Sequence, residues 1–182
     1  MPDCPRAALF EHKAIMSVFN AHVRSVLQYG SVVWSGAAVT HLARLERLQH
    51  RFLMWLAAKT QKRCPSLEYH ALLQHFNTDS IKARFVHTDI MFLYSVLHHR
   101  IDSAHLVSMF GLNVPGRRNR RTGLFHVPFG RVNTVKNSLA ARIPLTCNEF
   151  LIHSPSADFY HPSASFRSEA LMYARTLGSY IG

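Results

Sequence analysis

The sequence predicts a mainly α-helical fold, a helical bundle that opens with an αα-hairpin and carries a short basic loop or β-hairpin near residues 111–131. Three observations support this prediction. Apolar residues recur with a 3.6-residue period along most of the chain. Apolar side chains make up 48% of the 182 residues, which is enough to form the core of one domain. Residues 111–131 are the exception, because their composition is typical of extended chain.

The first predicted helix covers residues 7–29. Its apolar side chains fall within about 120° of one helical face. They are Leu9, Ile15, Met16, Phe19, Val23, Val26 and Leu27. Arg24 lies on a polar stripe beside this face, and Gly30 provides a stop signal just after the helix.

The second predicted helix covers residues 40–59, with Thr40 as its N-cap. Its core seam is predicted to consist of Leu42, Leu45, Leu48, Phe52 and Leu56. Arg44, Arg47 and Arg51 lie on the side away from that seam, and Lys62 extends the row. The outer face of the resulting αα-hairpin is suited to following a phosphate backbone. An ordinary solvated surface is the competing interpretation of each single arginine.

Further helices are predicted over residues 66–76, 78–99, 103–110, 133–151 and 166–177. The helix over 78–99, with Thr78 and Asp79 as its cap, is apolar around half its circumference or more, so we expect it to be central and buried. Pro144 is expected to interrupt the helix over 133–151. The chain is predicted to comprise a helical hairpin over residues 1–62 and a helical region over residues 63–182, packed as one continuous unit.

The irregular segment contains the densest positive charge of the chain. Two glycines, at positions 116 and 123, bracket four arginines: Arg117, Arg118, Arg120 and Arg121. Like charges at this density repel one another, so they are either solvated or bound by an anion. The loop, followed by Arg131, is the strongest single candidate for a nucleic-acid contact.

Net charge and cysteine content limit the class of protein. The chain has 21 Lys and Arg against 10 Asp and Glu, and 16 of the cations are Arg, which suits phosphate better than Lys does. A basic surface that binds nothing in particular is the alternative. No apolar run approaches the roughly 20 residues of a membrane span, so no membrane segment is expected. The three cysteines are widely spaced, and the first residues do not resemble a secretory signal, which together favour an intracellular location, nucleus or cytoplasm.

The sequence does not contain a recognisable catalytic pattern. Its ten acidic residues are isolated along the chain, whereas metal-dependent phosphoryl transfer needs converging carboxylates. Its 13 histidines lack the spacing of a zinc site. We therefore expect no catalytic residue, no metal and no cofactor, and we predict a binding protein and not an enzyme.

Two stretches resemble a known family. Residues 19–35 (FNAHVRSVLQYGSVVWS) and 42–52 (LARLERLQHRF) are similar to segments of non-LTR, LINE-type and jockey-like, retrotransposon reverse transcriptases. Further matches are Phe92 to Tyr94, Ile101-Asp102, Val114-Pro115, Arg120-Arg121, Arg142, Asn148 and Asp158-Phe159. The resemblance runs in order over residues 8–177. The family usually has Tyr, Leu and Glu where this chain has Phe19, His22 and Gln28.

This resemblance implies the thumb and the region after it, which follow the polymerase palm. The catalytic aspartates of the family lie upstream of the matched region, so no catalytic residue transfers to this chain. A thumb grips the primer–template hybrid, which implies a role for Arg24, Arg44, Arg47 and Arg51. The arginine-rich loop resembles the part that holds template RNA or target DNA. Such contacts to phosphates and sugars position a duplex without reading its sequence.

The sequence thus predicts a non-catalytic C-terminal fragment of an RNA-directed DNA polymerase that binds RNA, DNA or an RNA–DNA hybrid. The alternatives are a stand-alone helical interaction protein and an inactive retroelement relic. The apolar face over residues 9–27 is expected to self-associate or to contact an absent palm domain. Tyr29 and Trp34 are expected to pack at the interhelical turn, with stacking on a base or sugar as the alternative.

Overall fold

A computed structural model describes residues 5–36, 39–59, 67–114, 123–160 and 162–178, with side chains throughout these ranges except at 5–11 and 39. The described chain is mainly helical, which confirms the predicted fold class. The α-helices are α1 (Pro5–Phe19), α2 (Ser25–Gln28), α3 (Ser31–Trp34), α4 (Val39–Lys59), α5 (Tyr69–His75), α6 (Ile81–Leu97), α7 (Ala104–Met109), α8 (Asn133–Lys136), α9 (Leu139–His153) and α10 (Ser163–Gly178). A π-helix, Asn20–Arg24, connects α1 to α2. No helix within the described ranges is long and apolar enough to cross a membrane.

Helix α6 is the centre of the fold, as its apolar circumference predicts. It packs most extensively on α10 and also contacts α3, α4, α7 and α9. The main core forms around its C-terminal half, where Tyr94 stacks on Phe166 of α10 with ring centroids 4.6 Å apart. Phe150 of α9 and Phe159 complete this aromatic cluster. The helices of the C-terminal region are therefore arranged around α6.

A smaller core joins the N-terminal helices to α5. Leu53 and Ala57 of α4 pack on Leu72 and Leu73 of α5, so this core crosses the predicted division after residue 62. Phe19 at the end of α1 stacks on Phe52 of α4, with ring centroids 3.8 Å apart. Arg24 lies opposite Gln49, one turn earlier on α4, so the two segments run antiparallel as in an αα-hairpin.

The π-helix changes which residues of the first segment face the core. In a π turn the N–H of Ser25 donates to the carbonyl of Asn20, five residues back, so the turn holds one more residue than an α-helical turn. Arg24, and not Val23, therefore follows the buried Phe19 on the inner side. Val23 and Val26 are 37% and 69% exposed, so this part of the predicted apolar face is not covered by the described chain.

The guanidinium of Arg24 is the hub of a buried polar network. Arg24 is only 4% exposed. Its Nη2 donates to Thr78 Oγ1 at 2.7 Å and to the backbone carbonyl of Asp79 at 2.9 Å. Its Nη1 donates to Asn20 Oδ1 at 2.8 Å. Gln49 of α4 joins the network by donating to the same Asp79 carbonyl at 2.9 Å. Burial lowers the pKa of Arg24 to about 10, so it remains charged at neutral pH.

The side chain of Asp79 extends this network to two further helices. Its carboxylate accepts a 2.7 Å bond from Arg175 Nε of α10 and lies 3.8 Å from Arg84 of α6. Ser80 is the actual N-cap of α6, because its Oγ accepts the N–H of Ala83 at 3.1 Å. The predicted cap residues Thr78 and Asp79 instead bind arginines of other elements.

A largely buried ion pair fixes α9. Arg142 donates from Nε to Asp89 Oδ2 of α6 at 2.9 Å, and from Nη2 to the carbonyl of Val32 in α3 at 2.6 Å. It also donates to the carbonyl of Asn137, just before α9. One arginine thereby positions three segments far apart in the sequence. Burial raises the pKa of Asp89 despite the arginine beside it.

Two helix boundaries and one core position differ from the predictions. Thr40 lies inside α4, which begins at Val39, so it is not the N-cap. The helix predicted over 133–151 is interrupted between α8 and α9, and Pro144 lies within α9. Leu48 is 47% exposed, because Gln49 and Glu46 occupy the inner side of α4 in its place.

The base of the predicted basic hairpin is antiparallel. The N–H of Asn113 donates to the carbonyl of Leu124 at 2.9 Å, and the N–H of His126 donates to that of Gly111 at 2.8 Å. Asn148 of α9 holds Phe125 by bonding to both its N–H and its carbonyl, each at 2.9 Å. The arginine-rich tip, residues 115–122, lies outside the described residues.

We expect Arg24→Met to lower the free energy of unfolding by about 3 kcal/mol, because it removes the buried donor that joins Asn20, Gln49 and residues 78–79. Urea denaturation followed by circular dichroism measures this change. Arg44→Met, an exposed arginine of α4, is the matched control and should change the stability by less than about 0.5 kcal/mol. Equal effects of the two substitutions would show that Arg24 does not support the fold.

We expect His87 to make the protein less stable in acid. Burial lowers the pKa of His87 most, and the charges of Arg167 and Arg84 lower it further, against the opposing effects of a hydrogen bond to the Arg167 backbone and of the Asp79 carboxylate. At a pH between the lowered pKa of His87 in the folded protein and its pKa of about 6.5 in the unfolded chain, the unfolded chain binds the proton more readily. The free energy of unfolding should therefore fall as the pH drops below about 6.5, and less steeply in His87→Gln. Parallel pH profiles of the two proteins would contradict this prediction.

Candidate nucleic-acid interface

The outer side of α4 presents a row of cations that includes one exposed aromatic ring. Arg44, Arg47 and Arg51 are exposed, and Trp55 is 51% exposed. Lys59 Nζ lies 5.4 Å from the centroid of the Trp55 ring, within the range of a cation–π contact. We call these five residues the α4 basic face. At 1.5 Å per residue, the row is about 22 Å long.

The α4 basic face is exposed because the opposite side of the helix is tied to the core. Leu53 and Leu56 are fully buried, and Gln49 is bound into the Arg24 network. The packing of these residues on α5 and α6 leaves positions 44, 47, 51, 55 and 59 facing solvent. The rigid inner side therefore holds the five residues at fixed spacing along the helix.

Glu46 is the only acidic residue in the sequence of α4, and it points away from this row. It is 8% exposed, and its Oε1 accepts the backbone N–H of Lys82 at 2.8 Å. Its Oε2 accepts the hydroxyl of Tyr69. Burial, together with Glu46, raises the pKa of Tyr69, so the phenol stays protonated as the donor.

The arginines of the face are not neutralised by ion pairs within the described part of the chain. The ion pairs found there involve Arg84, Arg142 and Arg175. Arg47 makes one long bond, 3.4 Å from Nε to the carbonyl of Ala43 in its own helix. The face therefore carries a net positive charge that is available to an anion in solution.

The predicted nucleic-acid contacts fall into four groups. Arg44, Arg47 and Arg51 share the α4 basic face. Arg24 does not belong to it, because its guanidinium is buried and its donors bind Asn20, Thr78 and Asp79, so the prediction of a phosphate contact for Arg24 is wrong in this fold. Arg131 is exposed in the bend before α8. Lys62, Arg117, Arg118, Arg120 and Arg121 lie outside the described residues.

Sequence reasoning missed Trp55 and Lys59. The signal was present, since positions 44, 51, 55 and 59 continue one helical row at steps of seven and four residues. Of the two aromatic residues expected to pack at the interhelical turn, Trp34 does so, against Phe85 with ring centroids 5.0 Å apart. Tyr29 is 86% exposed, so its predicted packing is wrong.

The described residues contain no group of three or more His, Cys, Asp or Glu side chains that could hold a metal ion. Cys147 is fully buried, and burial raises the pKa of its thiol, which disfavours the reactive thiolate. The described arrangement thus provides cations and an aromatic surface, which are the components of a binding site.

No family model, curated protein or solved structure matches this chain. The chemistry of the α4 basic face is therefore the feature of this chain that bears on its function.

Proposed function

We propose that this chain is a non-catalytic nucleic-acid-binding module that holds RNA, DNA or an RNA–DNA hybrid along the α4 basic face. The observation that carries the proposal is the alignment of Arg44, Arg47 and Arg51 with Trp55 and Lys59 on one exposed face. The single acid of the helix is bound on the opposite side.

The chemistry of this face suits a phosphate backbone. Arginine binds phosphate oxygens through paired N–H donors, and release of counterions favours binding to a polyanion. An exposed indole adds a surface on which a base of any sequence can stack. Contacts of this kind position a nucleic acid without selecting its sequence.

The resemblance to non-LTR retrotransposon reverse transcriptases supports a finer version of this proposal. In that version the chain is the part of an RNA-directed DNA polymerase that follows the palm, and it works in the nucleus or cytoplasm. The basic loop that contains Arg117 and Arg121 then provides a second contact to template RNA or target DNA.

A protein-binding role is the second candidate, and several exposed apolar side chains near the N-terminal helices favour it. Val18, Val26 and Val33 are 59%, 69% and 77% exposed, and Tyr29 lies between the last two in the sequence. Such residues suit contact with another protein domain, such as a palm, or self-association. This role is compatible with nucleic-acid binding, because it uses a different part of the molecule from α4.

We expect the triple variant Arg44→Gln, Arg47→Gln, Arg51→Gln to weaken binding of a short RNA–DNA hybrid by roughly 100-fold at about 100 mM salt. It should also flatten the log–log salt dependence by up to about three counterions. Fluorescence anisotropy between about 50 and 300 mM salt measures both quantities for hybrid, duplex DNA and single-stranded RNA.

The matched control removes three exposed cations from other elements, Lys13→Gln, Arg100→Gln and Arg167→Gln. It has the same net charge as the α4 variant, and we expect it to bind nearly as tightly as the unaltered protein. Equal losses of affinity in the two variants would show that binding depends only on net charge, and would contradict a site on α4. If a well-folded sample does not bind any of the nucleic acids, the proposal fails.

We expect substitution of Arg117, Arg118, Arg120 and Arg121 by Gln to flatten the salt dependence by up to about four counterions. When the loop and α4 substitutions are combined in one protein, their losses of binding free energy should add if the loop and the face bind separate phosphates of one nucleic acid. The same anisotropy titration tests this. An unchanged slope of the salt dependence in the loop variant would show that these arginines do not contact the nucleic acid.

A further inference from the structure

A pocket of about 450 Å³ opens directly beside the α4 basic face. Helix α4 forms one side of it through Ala43, Glu46 and Arg47, and Tyr69 of α5 and Lys82 of α6 form the other. This volume lies within the range of small-molecule sites. Arg47 belongs both to the pocket and to the basic face, so a strand bound along α4 passes the opening.

The walls of the pocket are suited to a flat, largely apolar group. Its surface is mostly apolar, and His50 and Tyr69 contribute neighbouring rings, with centroids 5.2 Å apart. His50 is held in place by a 3.0 Å hydrogen bond between its Nε2 and the carbonyl of Leu67. Stacking on such rings favours an aromatic ligand.

The polar groups of the pocket indicate two further properties of a suitable ligand. Glu46 is one of the lining residues, and its two carboxylate oxygens each accept one bond from the protein, from Lys82 N–H and Tyr69 O–H. Each carboxylate oxygen has a further lone pair, so Glu46 can accept N–H donors of a ligand. Arg47 and Lys82 add positive charge to the lining. The pocket therefore suits an aromatic ligand with N–H donors on one edge and an anionic group attached.

We infer that this pocket receives one unpaired nucleobase of a strand whose phosphates lie on the α4 basic face. Guanine suits it best, because its N1–H and N2–H₂ donors are adjacent and can face the two oxygens of one carboxylate. Uracil has a single N–H between two carbonyl oxygens, which the carboxylate repels. The inference rests on the proposed function and adds to it a preference for strands with an unpaired guanine over blunt duplexes.

The test uses the full chain with three ligands that share one duplex: blunt, with a single guanine overhang and with a single uracil overhang. Anisotropy at fixed salt should show about tenfold tighter binding of the guanine overhang than of the other two. Ala43→Phe places a ring in the pocket from an exposed position and should abolish this difference while leaving blunt-duplex affinity unchanged. Ala164→Phe, at an exposed position of α10, is the matched control and should keep the tenfold preference.

Glu46→Gln provides a second check, because it replaces one acceptor oxygen by an amide donor. With the fold verified by thermal melting, this variant should lose the discrimination between guanine and uracil. If blunt duplex binds but the guanine preference is absent, or survives Ala43→Phe, the pocket inference is overturned and the proposed function stands. If no nucleic acid binds to the folded protein, both are overturned.

Discussion

The structure depends on the burial of one positive charge. Transferring a guanidinium out of water costs several kcal/mol unless its donors are bonded, and the bonds of Arg24 come from segments far apart in the chain. Asn20 is local, but Thr78 and Asp79 lie 54 and 55 residues away. The N-terminal hairpin is therefore held against the start of α6 by polar contacts with strict distance requirements. These contacts fix the orientation of α4, and with it the direction in which its basic face points.

Helix α4 shows how this constraint produces a binding surface. Its inner side accommodates Glu46 and Gln49, two polar residues that satisfy backbone and side-chain groups of α5, α6 and the preceding turn. Glu46 is the only acidic residue of the helix, and it is bonded on the inner side. It therefore does not neutralise the arginines of the outer side. The same bonds that stabilise the inner side therefore leave the outer side, with its arginines, Lys59 and Trp55, without an acidic residue.

Periodicity predicted the helices well, since α4 and α6 begin and end within a few residues of their expected bounds. It assigned several side chains to the wrong side, for identifiable physical reasons. Hydropathy treats an arginine as exposed and therefore predicts a surface position for Arg24, since partners 54 and 55 residues away leave no local signal. The apolar spacing predicts Leu48 in the seam, whereas Gln49 and Glu46 have specific hydrogen-bond partners inside. The exposed arginines of α4 can be predicted from the sequence, because their helical spacing alone places them on one face. Contacts with distant parts of the chain do not change that placement.

The five-residue π-helix has a consequence for comparing this chain with any relative. A relative whose first segment is a continuous α-helix would carry one residue fewer between Phe19 and Ser25, because the π turn accommodates one inserted residue. An alignment that keeps the buried positions in register must therefore open a single-residue gap within residues 20–24. Without that gap, Arg24 would be aligned with a solvent-facing residue of the relative. The buried residue of the relative that corresponds to Arg24 would then be aligned with Val23.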